Sequence, residues 1–239
     1  MQFDVSADAD GFARRVADWI LELALEQSGD FAVVLAGGTT PRPVYAFLAS
    51  AAYRSRFPWR QAHWFLSDER FVPHTDARSN FRMVCDAMLS HAPVPPGNLH
   101  PVRTQDVTPE EAAFAYELEL KSFYGAGTLD SARPFFEIAL LGLGEDGHFA
   151  SLFPGHPVLK EHARWAAPVI GATPEPRITL TYPVLESSRH AAFLVAGASK
   201  ADILRRFRAG DPDLPASHFQ PLGELSVFAD RAAAGEIAS

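Results

Sequence analysis

The chain has 239 residues, of which 47% are apolar and 21% charged, and its formal net charge is −8. These values are typical of a globular protein with a buried core and exclude a disordered chain. The acidic balance argues against a nucleic-acid-binding surface, but an anionic small molecule could still bind where cations are grouped locally.

The sequence gives no sign of a disulfide, a secretory signal or a membrane span. Cys85 is the single cysteine, which indicates a reducing compartment, and its apolar-periodic surroundings predict a buried helix residue. Residues 1–12 are acidic and lack the apolar stretch of a signal peptide. No run of about 18 apolar residues occurs, so we expect no membrane contact and a cytoplasmic location.

The first half of the chain alternates helical periodicity with short apolar runs. A continuous apolar run such as FAVVLA is typical of a strand that is covered on both faces. The predicted elements are a helix that includes 12–23 and stops at 28–30, a strand at 31–36, a helix from Pro41, a strand at 63–66 and a helix at 80–89.

The second half continues the same alternation. Thr108 to Glu111 (TPEE) forms a capping box with proline at the first helical position, which predicts a helix to about residue 123. The further predicted elements are strands at 135–141, 178–182 and 190–196, a helix at 200–207, a strand near 225–229 and a tail helix. This alternation predicts an α/β fold with a mostly parallel sheet, helices on both faces and a single domain over 1–239.

Ligands of open α/β sheets bind beyond the carboxyl ends of the strands, so the segments after the strands are the candidate sites. Gly37 to Arg42 (GGTTPR) follows the first apolar run. Its glycines allow close backbone approach, and a helix N-terminus there would attract an anion such as phosphate. We expect Thr40 to cap the helix. The alternative is a tight turn that binds nothing.

Ser67 to Arg70 (SDER) follows the second predicted strand. Its two carboxylates and one guanidinium are groups suited to acid–base work and to binding an oxyanion. The alternative is a solvated charged turn. Arg78 to Asn80 lies nearby in sequence and is a candidate cap for the next helix.

Gly142 to His148 (GLGEDGH) follows the apolar run FFEIALL and is the sharpest signal. It places Asp146 two residues from His148 in a glycine-rich turn. Histidine is the side chain best matched to proton transfer near neutral pH, and a nearby carboxylate can orient its ring. The alternative is a capped turn with a structural histidine.

Two cations adjoin later strands and would complete a phosphate site. Arg177 precedes ITLTYP and Lys200 follows FLVAGAS, although either could be a solvated surface residue. Nine histidines occur, but no HExxH pattern or Cys/His cluster has ligand spacing, so we expect no metal. No GxGxxG follows a strand, which argues against dinucleotide binding.

Six segments, which together span most of the chain from about residue 10 to 235, carry a family resemblance. They are LAGGTTPRPVY, SDERFVP, RSNFR, LLGLGEDGHFASLFPG, RITLTYPVL and LVAGASKADIL. In this order they resemble the 6-phosphogluconolactonase family, which is related to the glucosamine-6-phosphate deaminases. The resemblance implies a modified Rossmann-like sheet, no cofactor, and hydrolysis of a phosphorylated sugar δ-lactone to 6-phosphogluconate in the oxidative pentose phosphate pathway.

The resemblance also implies roles for individual residues. His148 would be the base that activates water, and Asp146 would support it. Asp68 and Arg70 would line the lactone. The phosphate would be held by Gly37, Gly38, Thr39, Arg177 and Lys200, and we assign Thr40 and Arg42 of the same turn to that end. The expected partner is the sugar-phosphate lactone alone, bound by a monomer or a small homo-oligomer.

Two other functions compete with lactone hydrolysis. A deaminase of this family would have a catalytic glutamate five residues after the histidine, where this chain has Phe153. A phenyl ring cannot relay a proton, so we expect no deaminase chemistry. A catalytically silent sugar-phosphate sensor would normally have an added DNA-binding segment, and this chain has no basic extension.

Overall fold

A computed structural model describes residues 1–235. The strands within this range are β1 (Gln2–Ser6), β2 (Phe31–Leu35), β3 (Ala62–Leu66), β4 (Asp68–Arg70), β5 (Leu99–His100), β6 (Phe136–Gly142), β7 (Ala166–Val169), β8 (Arg177–Leu180), β9 (Ser188–Val195) and β10 (Glu224–Asp230). The helices are α1 (Ala9–Leu25), α2 (Arg42–Ala49), α3 (Ala51–Arg54), α4 (Asn80–Ala87), α5 (Pro109–Tyr124), α6 (Tyr182–Glu186), α7 (Ala201–Arg208) and α8 (Arg231–Ala234).

Seven strands form one parallel sheet with the order β1-β10-β9-β6-β2-β3-β5. Successive residues of β2 serve the two faces in turn: Val33 and Leu35 pack in the core that contains α1 and α2, whereas Ala32 and Val34 pack in the core that contains α5 and α7. Both faces are therefore covered, which explains the continuous apolar run. The predicted α/β fold, with a mostly parallel sheet and helices on both faces, is confirmed.

The strands β2 and β6 are parallel neighbours at the centre of the sheet, but the connections that follow them lead to opposite sides. From β2 the chain continues to β3 on one side, and from β6 it continues to β9 on the other. Connections that leave in opposite directions open a crevice at the carboxyl ends of the two central strands. The fold thus predicts a ligand site after β2 and β6.

A second sheet, with the antiparallel order β4-β8-β7, was not predicted. Only Ser67 separates β3 from β4, so the chain passes directly from one sheet to the other. The segment Asp68–Arg70 is consequently a strand rather than a turn. The short strands β1, β5 and β7 were also missed; β1 alternates apolar Phe3 and Val5 with polar neighbours, a signal that its acidic character obscured.

Helix starts were predicted with mixed success. The capping box of α5 is confirmed, with Thr108 and Glu111 each bonded to the other's backbone N–H. Ser79 caps α4 by accepting from the N–H of Arg82. The expected cap at Thr40 is wrong, because the chain is already turning at residues 39–41 and the N-cap of α2 is Pro41, which makes no side-chain capping bond.

Two further features of the helices bear on the sequence predictions. Cys85 in α4 is half-buried rather than buried, and burial together with Asp86 raises the pKa of its thiol to about 11, which does not suit a nucleophile. Within residues 1–235, every helix is too short or too polar to cross a membrane.

Candidate active site

A cavity of about 230 Å³ lies at the carboxyl ends of β2, β3, β6 and β9, where the topology opens the crevice. The segments that follow β2, β3, β6 and β9, which carry the sequence motifs described above, all contribute residues to the cavity wall. The lining residues are Ala36, Gly37, Gly38, Thr39, Thr40, Pro41, Ser67, Asp68, Arg70, Asn80, Gly142, Leu143, Gly144, His148, Phe149, Ala150, Arg177, Leu194 and Lys200.

The turn after β2 forms one wall of the cavity and leads into α2. Gly37 packs against the carboxamide of Asn80 so closely that a Cβ would lie 2.0 Å from its Oδ1. Gly38 has a φ of +94°, a left-handed conformation that favours glycine. Both glycines are therefore required by the shape of this turn, which brings main-chain groups and the start of a helix to the cavity, an arrangement suited to an anion.

Three cations line the cavity: Arg70, Arg177 and Lys200. The ammonium of Lys200 donates to the carbonyl of Leu143 over 2.8 Å, which ties the start of α7 to the loop after β6. Asp68 is the one carboxylate among the lining residues, so positive charge predominates here although the chain as a whole is acidic. This local excess matches the requirements of an anionic ligand.

Arg42 is not at this site. It is exposed at the first turn of α2 and lines a separate groove with Asp86 and His91. Because the N-cap is Pro41 rather than Thr40, Arg42 is already a helical residue and its side chain leaves on the outer side of α2. Thr40, by contrast, lies in the cavity wall as expected.

His148 lies in the cavity wall with Asp146 behind it. Its Nδ1 is 2.5 Å from Oδ1 of Asp146, and the same carboxylate oxygen accepts from the backbone N–H of His148 over 3.1 Å. An ionised carboxylate only accepts, so Nδ1 carries the proton and Nε2 is left with a lone pair. Asp146 itself lines a neighbouring groove rather than the cavity.

The contacts with His148 lower the pKa of Asp146. Partial burial alone would raise the pKa of this carboxyl, but the nearby imidazole and its hydrogen bonds outweigh burial and lower it. Asp146 is therefore a charged acceptor that orients the ring.

The turn that holds this pair depends on two glycines. A Cβ on Gly144 would lie 2.1 Å from Nδ1 of His148, so any side chain there would push the imidazole away. Gly147 has a φ of +82° and packs against Leu214, where a Cβ would come within 2.7 Å.

Asp68 is almost fully buried but reaches the cavity wall. Its Oδ2 accepts from the hydroxyl of Ser151 over 2.6 Å and lies 3.5 Å from the guanidinium of Arg177. The amide of Asn80 donates to Oδ1 of the carboxylate over 3.3 Å and to the backbone carbonyl of Asp68 over 2.9 Å. Three elements thus hold this carboxylate in a fixed orientation.

Glu69, the second carboxylate of the SDER segment, does not reach the cavity. It is fully buried and accepts from the backbone N–H groups of Asn80 and Phe81, over 2.7 and 2.8 Å, and from the hydroxyl of Ser79. Burial raises its pKa, and these hydrogen bonds offset only part of that rise. The expectation that both carboxylates of this segment are free for acid–base work is wrong, because Glu69 caps α4.

Arg70 lies in the cavity wall, as expected. Its guanidinium donates to the backbone carbonyl of Arg78 over 2.6 Å. Arg78 is in turn paired with Asp76 and Glu175 on the exterior. The loop after β4 is therefore anchored to the same guanidinium that faces the ligand space.

Two residues of this site were missed from the sequence. Asn80 contacts both Gly37 and Asp68, and Ser151 holds Asp68 from the loop after β6. Both lie in segments that carry the family resemblance, RSNFR and LLGLGEDGHFASLFPG, but Asn80 was noted only for its place at a predicted helix start and Ser151 was given no role. Their roles depend on contacts between segments far apart in sequence. Among the described residues, no group of three or more His, Cys, Asp or Glu is placed to hold a metal ion.

Fold and cavity together define an α/β protein with a site for an anionic small molecule at the switch point of a parallel sheet, beside an oriented imidazole. The chain belongs to the family of glucosamine-6-phosphate isomerases and 6-phosphogluconolactonases, which it matches over residues 7–227. The resemblance read from the sequence motifs is confirmed.

Individual relatives agree with this assignment. The chain is 40% identical over 213 residues to a 6-phosphogluconolactonase of Synechocystis, covering 88% of this chain and 86% of the relative. It is 35% identical to a 6-phosphogluconolactonase of Nostoc, covering 98% and 97%. The crystal structure of 6-phosphogluconolactonase from Thermotoga maritima superposes with a TM-score of 0.82 at 33% identity, covering 96% of this chain and 99% of that one.

Proposed function

We propose that this protein hydrolyses 6-phospho-D-glucono-1,5-lactone to 6-phosphogluconate, with His148 as the base that activates water. The observation that carries the proposal is that His148, oriented by Asp146, lies in the wall of the same cavity as Lys200 and the 37–40 turn. The names of the relatives support the substrate. The reaction would belong to the oxidative pentose phosphate pathway, and the single cysteine favours a cytoplasmic location.

The chemistry needs one base, one water molecule and a stabilised oxyanion. Nε2 of His148 takes a proton from water, and the hydroxide attacks the lactone carbonyl carbon. The tetrahedral oxyanion is stabilised by hydrogen bonds from Arg70 or from backbone N–H groups of a glycine turn. Its collapse breaks the bond between the carbonyl carbon and the ring oxygen, which takes the proton back from the imidazolium of His148.

The phosphate would be held at the other end of the cavity, away from the reacting carbon. Lys200, Arg177 and the 37–40 turn are the groups for this role, since they combine fixed cations with a helix start. Such remote contacts position the lactone against the base. Asp68 and Arg70 would line the sugar ring between the two ends.

Turnover of freshly made 6-phosphogluconolactone, corrected for its spontaneous hydrolysis, tests the proposal. We expect His148→Ala to lower kcat by about 10²-fold or more, the usual scale for an acid–base group. Lys200→Ala should mainly raise KM, because it removes binding rather than chemistry. Full activity of His148→Ala would show that the mechanism is wrong.

The same preparation separates the rival functions. We expect no ammonia release from glucosamine 6-phosphate, since Phe153 stands where a deaminase of this family would need its glutamate. Tight binding of 6-phosphogluconate by a wild-type protein that does not hydrolyse the lactone would contradict the proposed hydrolase activity. It would favour the alternative that the protein is a sugar-phosphate sensor.

A further inference from the structure

We propose that Phe153 is a positioning residue that fixes the imidazole of His148 in its working orientation. The inference rests on the proposed role of His148 as a base. Phe153 does not line the cavity; it lies behind the imidazole and lines the neighbouring groove together with Asp146.

The imidazole of His148 is held from three directions. The ring of Phe153 packs on it with centroids 4.5 Å apart and planes tilted by 38°. Gly144 approaches Nδ1 so closely that a Cβ would lie 2.1 Å away. Asp146 accepts from Nδ1 over 2.5 Å. Without Phe153, one side of the ring would lose its packing, and only the hydrogen bond to Asp146 and the contact with Gly144 on the Nδ1 side would resist its displacement.

The chain places Phe153 by a tight reversal between Phe149 and Leu152. The N–H of Leu152 donates to the carbonyl of Phe149 over 2.9 Å, and both side chains are fully buried. Ala150 has a φ of +49°, a left-handed conformation that is unfavourable for a residue with a Cβ. The hydroxyl of Ser151 bonds Asp68 over 2.6 Å. The reversal is thus anchored at successive positions, and it returns the next residue to the side of His148.

The other neighbour of the phenyl ring is a cation of the site. Cζ of Arg177 lies 5.8 Å from the ring centroid, and the same guanidinium is 3.5 Å from Asp68. An aromatic face attracts a nearby cation, so Phe153 favours the guanidinium and also the imidazolium that forms when His148 accepts its proton. Phe153 thus contacts both the imidazole of His148 and the guanidinium of Arg177.

This geometry predicts an effect on the chemical step rather than on binding. A small misplacement of a catalytic group is enough to slow a reaction severely. Of the groups assigned to the phosphate, only Arg177 lies against Phe153, and it keeps its contact with Asp68, while Lys200 and the 37–40 turn are independent of the phenyl ring. Phe153→Leu keeps an apolar side chain but loses the flat ring. Phe153→Tyr keeps the ring and should retain its packing.

Steady-state kinetics of lactone hydrolysis by wild type, Phe153→Leu and Phe153→Tyr provide the test. We expect Phe153→Leu to lower kcat by about tenfold with KM within about twofold of wild type, and Phe153→Tyr to restore most of kcat. Phe47→Leu is the matched control, because Phe47 is also half-buried and has an arginine over its ring, with Cζ of Arg14 5.1 Å from the centroid, but does not line the cavity. It should leave kcat unchanged.

A second readout does not depend on turnover. The ring current of Phe153 should displace the imidazole proton resonances of His148 in wild type and in Phe153→Tyr, and the displacement should disappear in Phe153→Leu.

Unchanged kcat in Phe153→Leu, a rise in KM alone, or failure of Phe153→Tyr to recover activity would each overturn the positioning role. A wild-type protein that does not hydrolyse the lactone would instead contradict the proposed function, so the two failures are distinguishable.

Discussion

The two acidic segments of the site, 68–70 and 143–153, position their side chains in different ways. The first is a strand, so successive side chains point to opposite sides: Asp68 reaches the cavity and Glu69 enters the core. The second is a glycine-rich turn in which the side chains of Asp146 and His148, two residues apart, meet directly. In a strand, neighbouring charged residues therefore point to different surroundings and take different roles, whereas in a turn two charged residues can meet and act on the same site.

The difference extends to what holds each segment. The strand is supported by the small sheet and by the capping bonds of α4 to the buried carboxylate of Glu69. The turn depends on the absence of side chains at Gly144 and Gly147. Changes in the strand segment should therefore act first on stability, and changes in the turn first on activity.

Removal of the buried cap of α4 should have the largest effect. Glu69→Ala leaves the N–H groups of Asn80 and Phe81 and the hydroxyl of Ser79 without their acceptor. We expect the free energy of unfolding to fall by about 3 kcal/mol or more, as measured by urea denaturation. The control is Glu110→Ala in the exposed first turn of α5. A loss as small as the control's would contradict a structural role for Glu69.

A methyl group at Gly144 tests the turn. Gly144→Ala should displace the imidazole of His148 and lower kcat by about 10²-fold with a much smaller change in stability. Gly97→Ala, where a Cβ would meet nothing within 4 Å, is the control and should be silent in the same assay. Wild-type turnover by Gly144→Ala would mean that the ring does not need this position.

The hydrogen bond that joins the two segments should have an intermediate effect. Ser151→Ala removes the hydroxyl that donates to Asp68, and we expect a loss of about 2 kcal/mol in the free energy of unfolding, since the acceptor is a buried carboxylate. The hydroxyl of Ser217 is buried and has no hydrogen-bond partner among the described residues, so Ser217→Ala should be nearly neutral. Equal losses in the two variants would remove the argument for this bond.

The pH dependence of stability gives the smallest expected effect. The folded-state pKa of Asp146 is lowered, so its contribution is present above the unfolded-state pKa and is lost as pH falls through the folded-state value. Below about pH 4 wild type should lose stability more steeply than Asp146→Asn, by less than about 1 kcal/mol, because the carboxylate is half exposed. The exposed neighbour provides the control variant Glu145→Gln, which should follow wild type.

Sequence patterns predicted the parts of the molecule that depend on local order. Hydrophobic runs located β2, β3, β6 and β9, and the motifs after these strands led to most of the cavity. What the patterns could not provide is side-chain direction and contact between distant segments. Arg42 points away from the cavity because the N-cap of α2 is one residue later than predicted. Glu69 is buried because its segment is a strand that was not predicted.

A crystal structure with bound 6-phosphogluconate would test the central claim most directly. We predict that its phosphate lies against the 37–40 turn and Lys200, and that its carboxylate is within hydrogen-bonding reach of Nε2 of His148, directly or through one water molecule. A product bound in the reverse direction, or outside this cavity altogether, would contradict the account.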